Sequence, residues 1–345
     1  MTSLTEIAEL GLLPDFVIRP GIRRLLARRI QELPTTGSNE QRETVRGFVD
    51  RLAQAPLAIA TEAANLQHYE VPAEFFQKVL GPRLKYSACL FSEPHTTLGG
   101  AEAEMLRLTC QRAQIVDGMQ ILELGCGWGS LTLWMAEQYP TCNITAVSNS
   151  FNQAKYIEAR AHEQGLDNVS VVTADLRDFD ASQQFDRILS VEMFEHMRNY
   201  RILFERIARW LLPRGKAFAH IFCHRSTPYL FETEGADNWM GQNFFTGGTM
   251  PSEDLFGHFA DDLKIQRQWR VNGLHYWRTC ESWLSNLDQN REALVSMFSR
   301  NCTRNEAKRT VQRWRMFFMA CAELFRYRAG NEWFVAHYLF ENISS

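Results

Sequence analysis

The sequence predicts an α/β fold built on a mostly parallel sheet, and it does so through three observations. From about residue 100 onward, short apolar runs alternate with helical stretches, the pattern of a sheet covered on both faces. A glycine-rich turn, Gly125-Cys-Gly-Trp-Gly129, separates one such run from an apolar helix. Glu192, Glu195 and His196 follow another run, at the strand end where α/β enzymes carry their chemistry.

The elements follow in order. Residues 1–80 read as helical, and within Gly21-Ile-Arg-Arg-Leu-Leu-Ala-Arg-Arg-Ile30 one face carries Ile22, Leu25, Leu26 and Ile30. Arg23, Arg24, Arg28 and Arg29 are interleaved with them. A basic amphipathic helix of this kind can lie on a lipid surface, but packing its stripe on the domain beneath is the more ordinary outcome. Pro34–Asn39 is polar and marks a loop. Candidate strands are Gln120–Leu124, Asn143–Val147, Val169–Thr173, Phe185–Val191 and Ala217–Phe222. Two late apolar segments, Lys264–Val271 and Trp333–Phe340, are expected to add an antiparallel pair at the sheet edge. The stretch between them is helical and rich in aromatic residues.

Composition narrows the function classes. With 345 residues, 45% of them hydrophobic and 22% charged, the chain has the profile of a soluble globular protein. A net charge of −3 gives no argument for nucleic acid or an anionic membrane as partner. No apolar run reaches the length of a membrane span, and the first residues lack a signal-peptide design, so a cytoplasmic location is expected. The eight cysteines are scattered without a C-x-x-C pair, which suggests reduced thiols packed as small hydrophobes.

The glycine turn reads G-x-G-x-G, where a dinucleotide site would want G-x-G-x-x-G. The second strand would normally end in an acid that holds a ribose, but here it runs into Ser148-Asn-Ser-Phe-Asn-Gln153. Hydroxyl and amide groups can hydrogen-bond a ribose without charge. Asp175, after the third strand, can accept from an exocyclic amine, and it also suits a helix N-cap. If the segment after the fourth strand turns helical, Glu192, Glu195 and His196 share one face. Three titratable groups there suit general-base work and the binding of a cation, or else a solvated helix start. A metal reading lacks H-E-x-x-H and further ligands, so none is expected.

Glu123 two residues before the turn, together with the turn itself, resembles the first motif of class I S-adenosylmethionine-dependent methyltransferases. More specific landmarks resemble the cyclopropane fatty acid synthase superfamily, and within it the coclaurine N-methyltransferase-like branch. They are His68-Tyr-Glu-Val-Pro-Ala-Glu-Phe-Phe76, Leu84-Lys-Tyr-Ser-Ala-Cys89 and Val191-Glu-Met-Phe-Glu-His-Met197. Further on come His220-Ile-Phe-Cys-His224, Phe244-Phe-Thr-Gly-Gly-Thr-Met-Pro251 and Asn331-Glu-Trp333. The resemblance covers nearly the whole chain. It implies a Rossmann-like sheet with S-adenosylmethionine as cofactor. It also implies a helical segment and cofactor lid at 1–95, a cofactor-binding core at 96–225, and a substrate cap with the final edge strands at 226–345.

The resemblance also implies roles by position. Tyr86 and Ser87 should meet the methionine portion of the cofactor, Gly125, Cys126 and Gly127 its turn, and Ser148, Asn149 and Gln153 the ribose. Asp175 and Leu176 should receive the adenine. The cyclopropane synthases are thought to hold a bicarbonate base with a Cys, a Glu, a His and a Tyr, and the matching positions here are Ala88, Glu195, His220 and Tyr276. The lost Cys and the added Glu192 argue against an anion and for an ammonium. The expected function is therefore N-methylation of a small-molecule amine, aromatic amines among the candidates, with Glu192, Glu195 and His196 catalytic. Tyr69, His220, Phe244, Tyr276 and Trp333 are the expected substrate contacts, with Trp277 and Phe334 as further aromatic candidates. The alternative is modification of unsaturated phospholipid acyl chains, the one reading that involves a membrane surface. No nucleic-acid partner is expected, and a homodimer is left open.

Overall fold

The computed structural model describes residues 4–59, 71–235 and 238–343. His68 and Tyr69 of the first landmark lie outside the described residues. The amino-terminal helices are α1 (Leu4–Glu9), α2 (Asp15–Glu32), α3 (Asn39–Gln54), α4 (Ala73–Val79) and α5 (Leu98–Arg112). Ser38 starts α3 by accepting from the Gln41 N–H at 3.0 Å, so the polar loop ends in an N-cap.

The core then alternates: β1 (Gln120–Leu124), α6 (Ser130–Gln138), β2 (Asn143–Ser148), α7 (Phe151–Gln164), β3 (Val169–Thr173), β4 (Phe185–Val191), α8 (Tyr200–Trp210) and β5 (Leu211–His224). A short ribbon of β6 (Tyr229–Leu230) and β7 (Thr249–Met250) flanks α9 (Trp239–Asn243). The chain closes with β8 (Leu263–Val271), α10 (Gly273–Gln289), α11 (Arg291–Phe298), α12 (Arg304–Arg326) and β9 (Trp333–Asn342).

The seven-stranded sheet has the order β3-β2-β1-β4-β5-β9-β8, as the strand–helix alternation implied. Strands β1 to β5 are parallel, and β9 runs antiparallel to both β5 and β8. The late pair is thus present, but only β8 is an edge. β9 is interior, and pairing with it from Lys216 to His224 draws β5 out beyond the expected Ala217–Phe222. Strand order reverses between β1 and β4, which pair directly with Leu124 opposite Ser190. Ligands of open α/β sheets bind outside the carboxyl ends of the strands at such a reversal. The glycine turn and the acidic turn therefore leave the sheet side by side.

Helices α10 and α12 pack on each other, and α2 lies against α12. Arg19 on α2 pairs with Glu281 on α10 at 2.6 Å and with the buried Glu323 on α12 at 3.1 Å. Arg315 on α12 pairs with Asp15 at the start of α2 at 3.0 Å. These pairs hold α2 on the body of the protein, with Ile22, Leu26 and Ile30 packed against the core and Leu25 left exposed, so the packed outcome holds for most of the stripe. Among the described residues no helix is long and apolar enough to cross a membrane. All eight cysteines are free thiols, and Cys302 alone is exposed.

Under the sheet, Phe256 is 1% exposed and packs its ring against Tyr200 and Tyr338, each at 5.0 Å, and against Phe194 and Phe204. Phe256→Ala is expected to cost about 3–5 kcal/mol, since the cavity it leaves is walled by other rings. Denaturant unfolding checks this, and a loss under 1 kcal/mol would mean that the cluster can collapse around the gap.

Candidate active site

A cavity of about 560 Å³ opens above the β1/β4 reversal, and a second space of about 80 Å³ adjoins it. Gly125, Gly127, Gln153, Glu192 and His196 line both. The large cavity is walled by α2, by Tyr86 and Ser87, and by rings of the carboxyl-terminal half. The small one is ringed by Ser148, Asn149, Asp175 and Leu176. The positions expected to hold a cofactor thus gather around one continuous space.

Gly125 and Gly127 both have positive φ, at 78° and 54°. A Cβ on Gly125 would strike Met193 Cγ at 2.6 Å, so the glycine turn and the acidic turn touch. A Cβ on Gly127 would meet nothing within 4 Å and would project into open space. That gap is a cradle where a ligand can approach the backbone. The buried Trp128 Nε1 and Ser130 Oγ beside it have no protein partner. An S-adenosylmethionine-sized ligand with a polar amino-acid end fits these features. Ser148 donates to Gln153 Oε1 at 2.8 Å, fixing both side chains without charge. Asp175 accepts from the Arg177 N–H at 2.8 Å and pairs with its guanidinium at 2.9 Å, so it caps a turn, not a helix, while lining the small pocket.

The acidic cluster converges by a route other than a helix face. Glu192 sits at the end of β4 with φ 47°, a left-handed conformation costly for a side chain that bears a Cβ. Only Phe194–His196 form one 3₁₀ turn, which the Tyr200 hydroxyl stabilises by donating to Phe194 O at 3.0 Å. The left-handed step aims Glu192 inward, where it accepts three hydrogen bonds. Oε1 takes the Ala88 N–H at 3.0 Å and faces His220 Nε2 at 3.1 Å, while Oε2 takes the Tyr276 hydroxyl at 2.5 Å. Burial pushes the Glu192 pKa up, and the buried Lys85 ammonium, the Ala88 N–H and the Tyr276 hydroxyl oppose that rise. Glu195, 1% exposed, has no partner for Oε2. Burial first, and the nearby Glu192 charge second, push its pKa well above the usual carboxylate range. His196 is half-buried, its ring stacked on Phe245 at 6.2 Å.

Several expected substrate contacts are displaced. Phe244 is buried and stacks on Phe317 at 4.2 Å, and the next residue, Phe245, faces the cavity instead. Trp333 is 0% exposed, with its indole N–H given to the Tyr229 hydroxyl at 3.0 Å, and Tyr229 is the ring on the cavity wall. Phe334 lies in the core under the Arg270 guanidinium, and Trp277 under that of Arg326. His220 is fully buried behind Glu192, and Tyr276 does line the cavity. Phe244 and Phe245 leave α9 in a turn, and Trp333 and Phe334 alternate faces on β9, so a sequence run cannot say which of two neighbours points in. The sequence reading missed Lys85, Tyr229, Phe231 and Phe245 on the wall, although Lys85 stood in plain sight beside Tyr86 and Ser87. Among the described residues, no group of three or more His, Cys, Asp or Glu is placed to hold a metal ion.

Comparisons with known proteins agree with this geometry. The chain is 39% identical to (S)-coclaurine N-methyltransferase of Thalictrum flavum subsp. glaucum, over 99% of this chain and 96% of that one. A crystal structure of coclaurine N-methyltransferase bound to N-methylheliamine and SAH superposes with a TM-score of 0.95 at 38% identity, covering 98% of this chain and 99% of that chain. The cyclopropane-fatty-acyl-phospholipid synthase of Escherichia coli K12 is more distant, at 29% identity over 77% of this chain and 65% of its own. A cyclopropane synthase from Mycobacterium tuberculosis, 22% identical with a TM-score of 0.72 over 84% of this chain and all of that one, shares the fold. The family profile described as mycolic acid cyclopropane synthetase matches residues 58–333, and the chain belongs to that family of class I methyltransferases.

Proposed function

We propose that the protein transfers the methyl group of S-adenosylmethionine to the nitrogen of a small-molecule amine. The observation that carries this reading is the Glu192 carboxylate. Ala88, His220 and Tyr276, three of the positions matching a bicarbonate site, already spend their hydrogen bonds on it. A built-in carboxylate thus stands where the family resemblance implied a free anion. With those donors already spent on Glu192, a further anion finds none of them free, and the Glu192 charge favours an ammonium.

When bound, S-adenosylmethionine supplies an electrophilic methyl group on a sulfonium, and in-line attack requires a free lone pair. An alkylamine with pKa near 10 is mostly protonated at pH 7, and freeing it costs about 4 kcal/mol. Glu192, held as an acceptor by three donors, orients the amine. Glu195, with one oxygen unpartnered and a raised pKa, exchanges the amine's proton together with His196. Tyr229, Phe231 and Phe245 line the same cavity and favour an aromatic, cationic acceptor that displaces water. Tyr86, Ser87, Gly125, Cys126 and Gly127 lie where they would receive the methionine end of the cofactor. Ser148, Asn149 and Gln153 would take the ribose, and Asp175 and Leu176 the adenine. In the same reading 1–95 is a lid that includes α2, 96–225 binds the cofactor and 226–345 caps the substrate.

Gly127→Val should abolish S-adenosylmethionine binding in calorimetry while leaving a folded protein, because the new side chain enters open space and only backbone strain of about 1–3 kcal/mol opposes it. Unchanged affinity would remove the turn from the cofactor site.

The pH dependence has a definite sign. A raised Glu195 pKa means that its basic form accumulates only as pH rises, so the acid limb of kcat should lie above the ordinary carboxylate range. Glu192→Gln removes the like charge and should move that limb to lower pH while raising the KM for the amine. Glu195→Gln should lower kcat by a factor of about 10² to 10⁴, with partial recovery at high pH. Near-normal turnover of Glu195→Gln at neutral pH would make the acid cluster structural, whereas a requirement for phospholipid vesicles or added bicarbonate would contradict the amine reading.

A further inference from the structure

Behind Glu192 lies a row of polar side chains crossing the sheet that the methyl-transfer reading leaves unused. His220 on β5 and His337 on β9 are register partners, and next along the row Trp269 on β8 faces His337. His337 is 0% exposed and His220 is 1% exposed. Their rings meet through His337 Nε2 and His220 Nδ1 at 2.9 Å. His337 Nδ1 in turn faces Arg112 Nη1 at 2.9 Å, at the end of α5, where the guanidinium lies over the Trp269 ring at 5.0 Å. Arg112, His337, His220 and Glu192 therefore form one unbroken chain from the outer side of the sheet to the cavity.

The direction of that chain follows from donor chemistry. A guanidinium only donates and keeps its proton in proteins. His337 Nδ1 must then accept, which leaves the proton of neutral His337 on Nε2. That N–H points at His220 Nδ1, which must also accept, so His220 carries its proton on Nε2, aimed at Glu192 Oε1. Reversing either ring would set two lone pairs against each other in a dry interior. Second protons on the rings are disfavoured, because burial and the cationic Arg112 and Lys85 hold both imidazoles neutral. The charged and titratable groups facing the row are Arg112 from α5, Lys85 from the segment before it, Glu192 after β4, and Tyr276 from α10 through Glu192.

We propose that Arg112 is a positioning residue that fixes the proton positions of His337 and His220 from the end of the row opposite the Glu192 carboxylate, so that His220 presents its Nε2–H to position 192 whether or not the group there is charged. The tautomer assignment stands on the row itself.

The test reads histidine tautomers by ¹⁵N NMR in Glu192→Gln, whose carboxamide can donate or accept and so releases the far end of the row, with Arg112 intact or replaced by Met, Gln or Lys. Arg112 is half-buried at the sheet margin, and Gln keeps a hydrogen bond but donates or accepts equally, so a folded variant without the fixed direction is available. Wild type and Glu192→Gln should both show neutral rings with the proton on Nε2. Adding Arg112→Met or Arg112→Gln to Glu192→Gln should give mixed tautomers at His337 and His220, and adding Arg112→Lys should keep the wild-type ones. Wild-type tautomers in both the Met and the Gln double variants would overturn the proposal, as would mixed tautomers in Glu192→Gln alone.

Discussion

A carboxylate cannot be left charged in a dry interior without donors, and the site is organised around meeting that constraint at Glu192. Its three hydrogen bonds come from distant parts of the chain: Ala88 before α5, His220 on β5 and Tyr276 on α10. Each fixes a piece of the structure. The Ala88 contact holds the Leu84–Cys89 segment over the cavity, and Tyr276 ties the aromatic cap to the sheet. The left-handed backbone at Glu192 is the local cost of aiming the carboxyl at all three. Lys85, buried and held by Ser87 and by Ala88 O at 2.8 Å, supplies the nearby positive charge.

Burial raises the Glu192 pKa while its donors and Lys85 oppose the rise, and in the proposed reading Glu192 is the charged partner and Glu195 the group that changes protonation. Glu195 lies deep in the same cavity with an unpartnered oxygen, its pKa raised by burial and by the charge of its neighbour. In the proposed reading the two carboxyl groups, one satisfied and one not, divide the tasks of holding a cation and taking a proton.

The fold was legible because strand–helix alternation and turn glycines are local signals. All five parallel strands, the late antiparallel pair and the turn at Gly125–Gly129 follow from short windows of sequence. Which elements meet is not local. The helix expected through Glu192, Glu195 and His196 is a left-handed residue followed by one 3₁₀ turn, a conformation imposed by the inward donors and not by propensity. Phe244 and Phe245 exchange roles because only packing decides which ring faces in. Trp333 carries the right chemistry for a substrate wall but stands one layer out, behind Tyr229. The His220–His337 contact joins residues 117 positions apart, and no spacing rule reaches that far.

The central proposal is that the Glu192 carboxylate is the charge a cationic acceptor meets in the cavity. Its most direct measurement compares binding of an aromatic quaternary ammonium with that of its neutral carbon isostere, a pair in which neither member titrates. Calorimetry on wild type should show the cation preferred by roughly tenfold or more, equivalent to about 1.4 kcal/mol. In Glu192→Gln the preference should fall away while the neutral isostere binds as before. Equal binding of the two compounds by the wild-type protein would contradict the account.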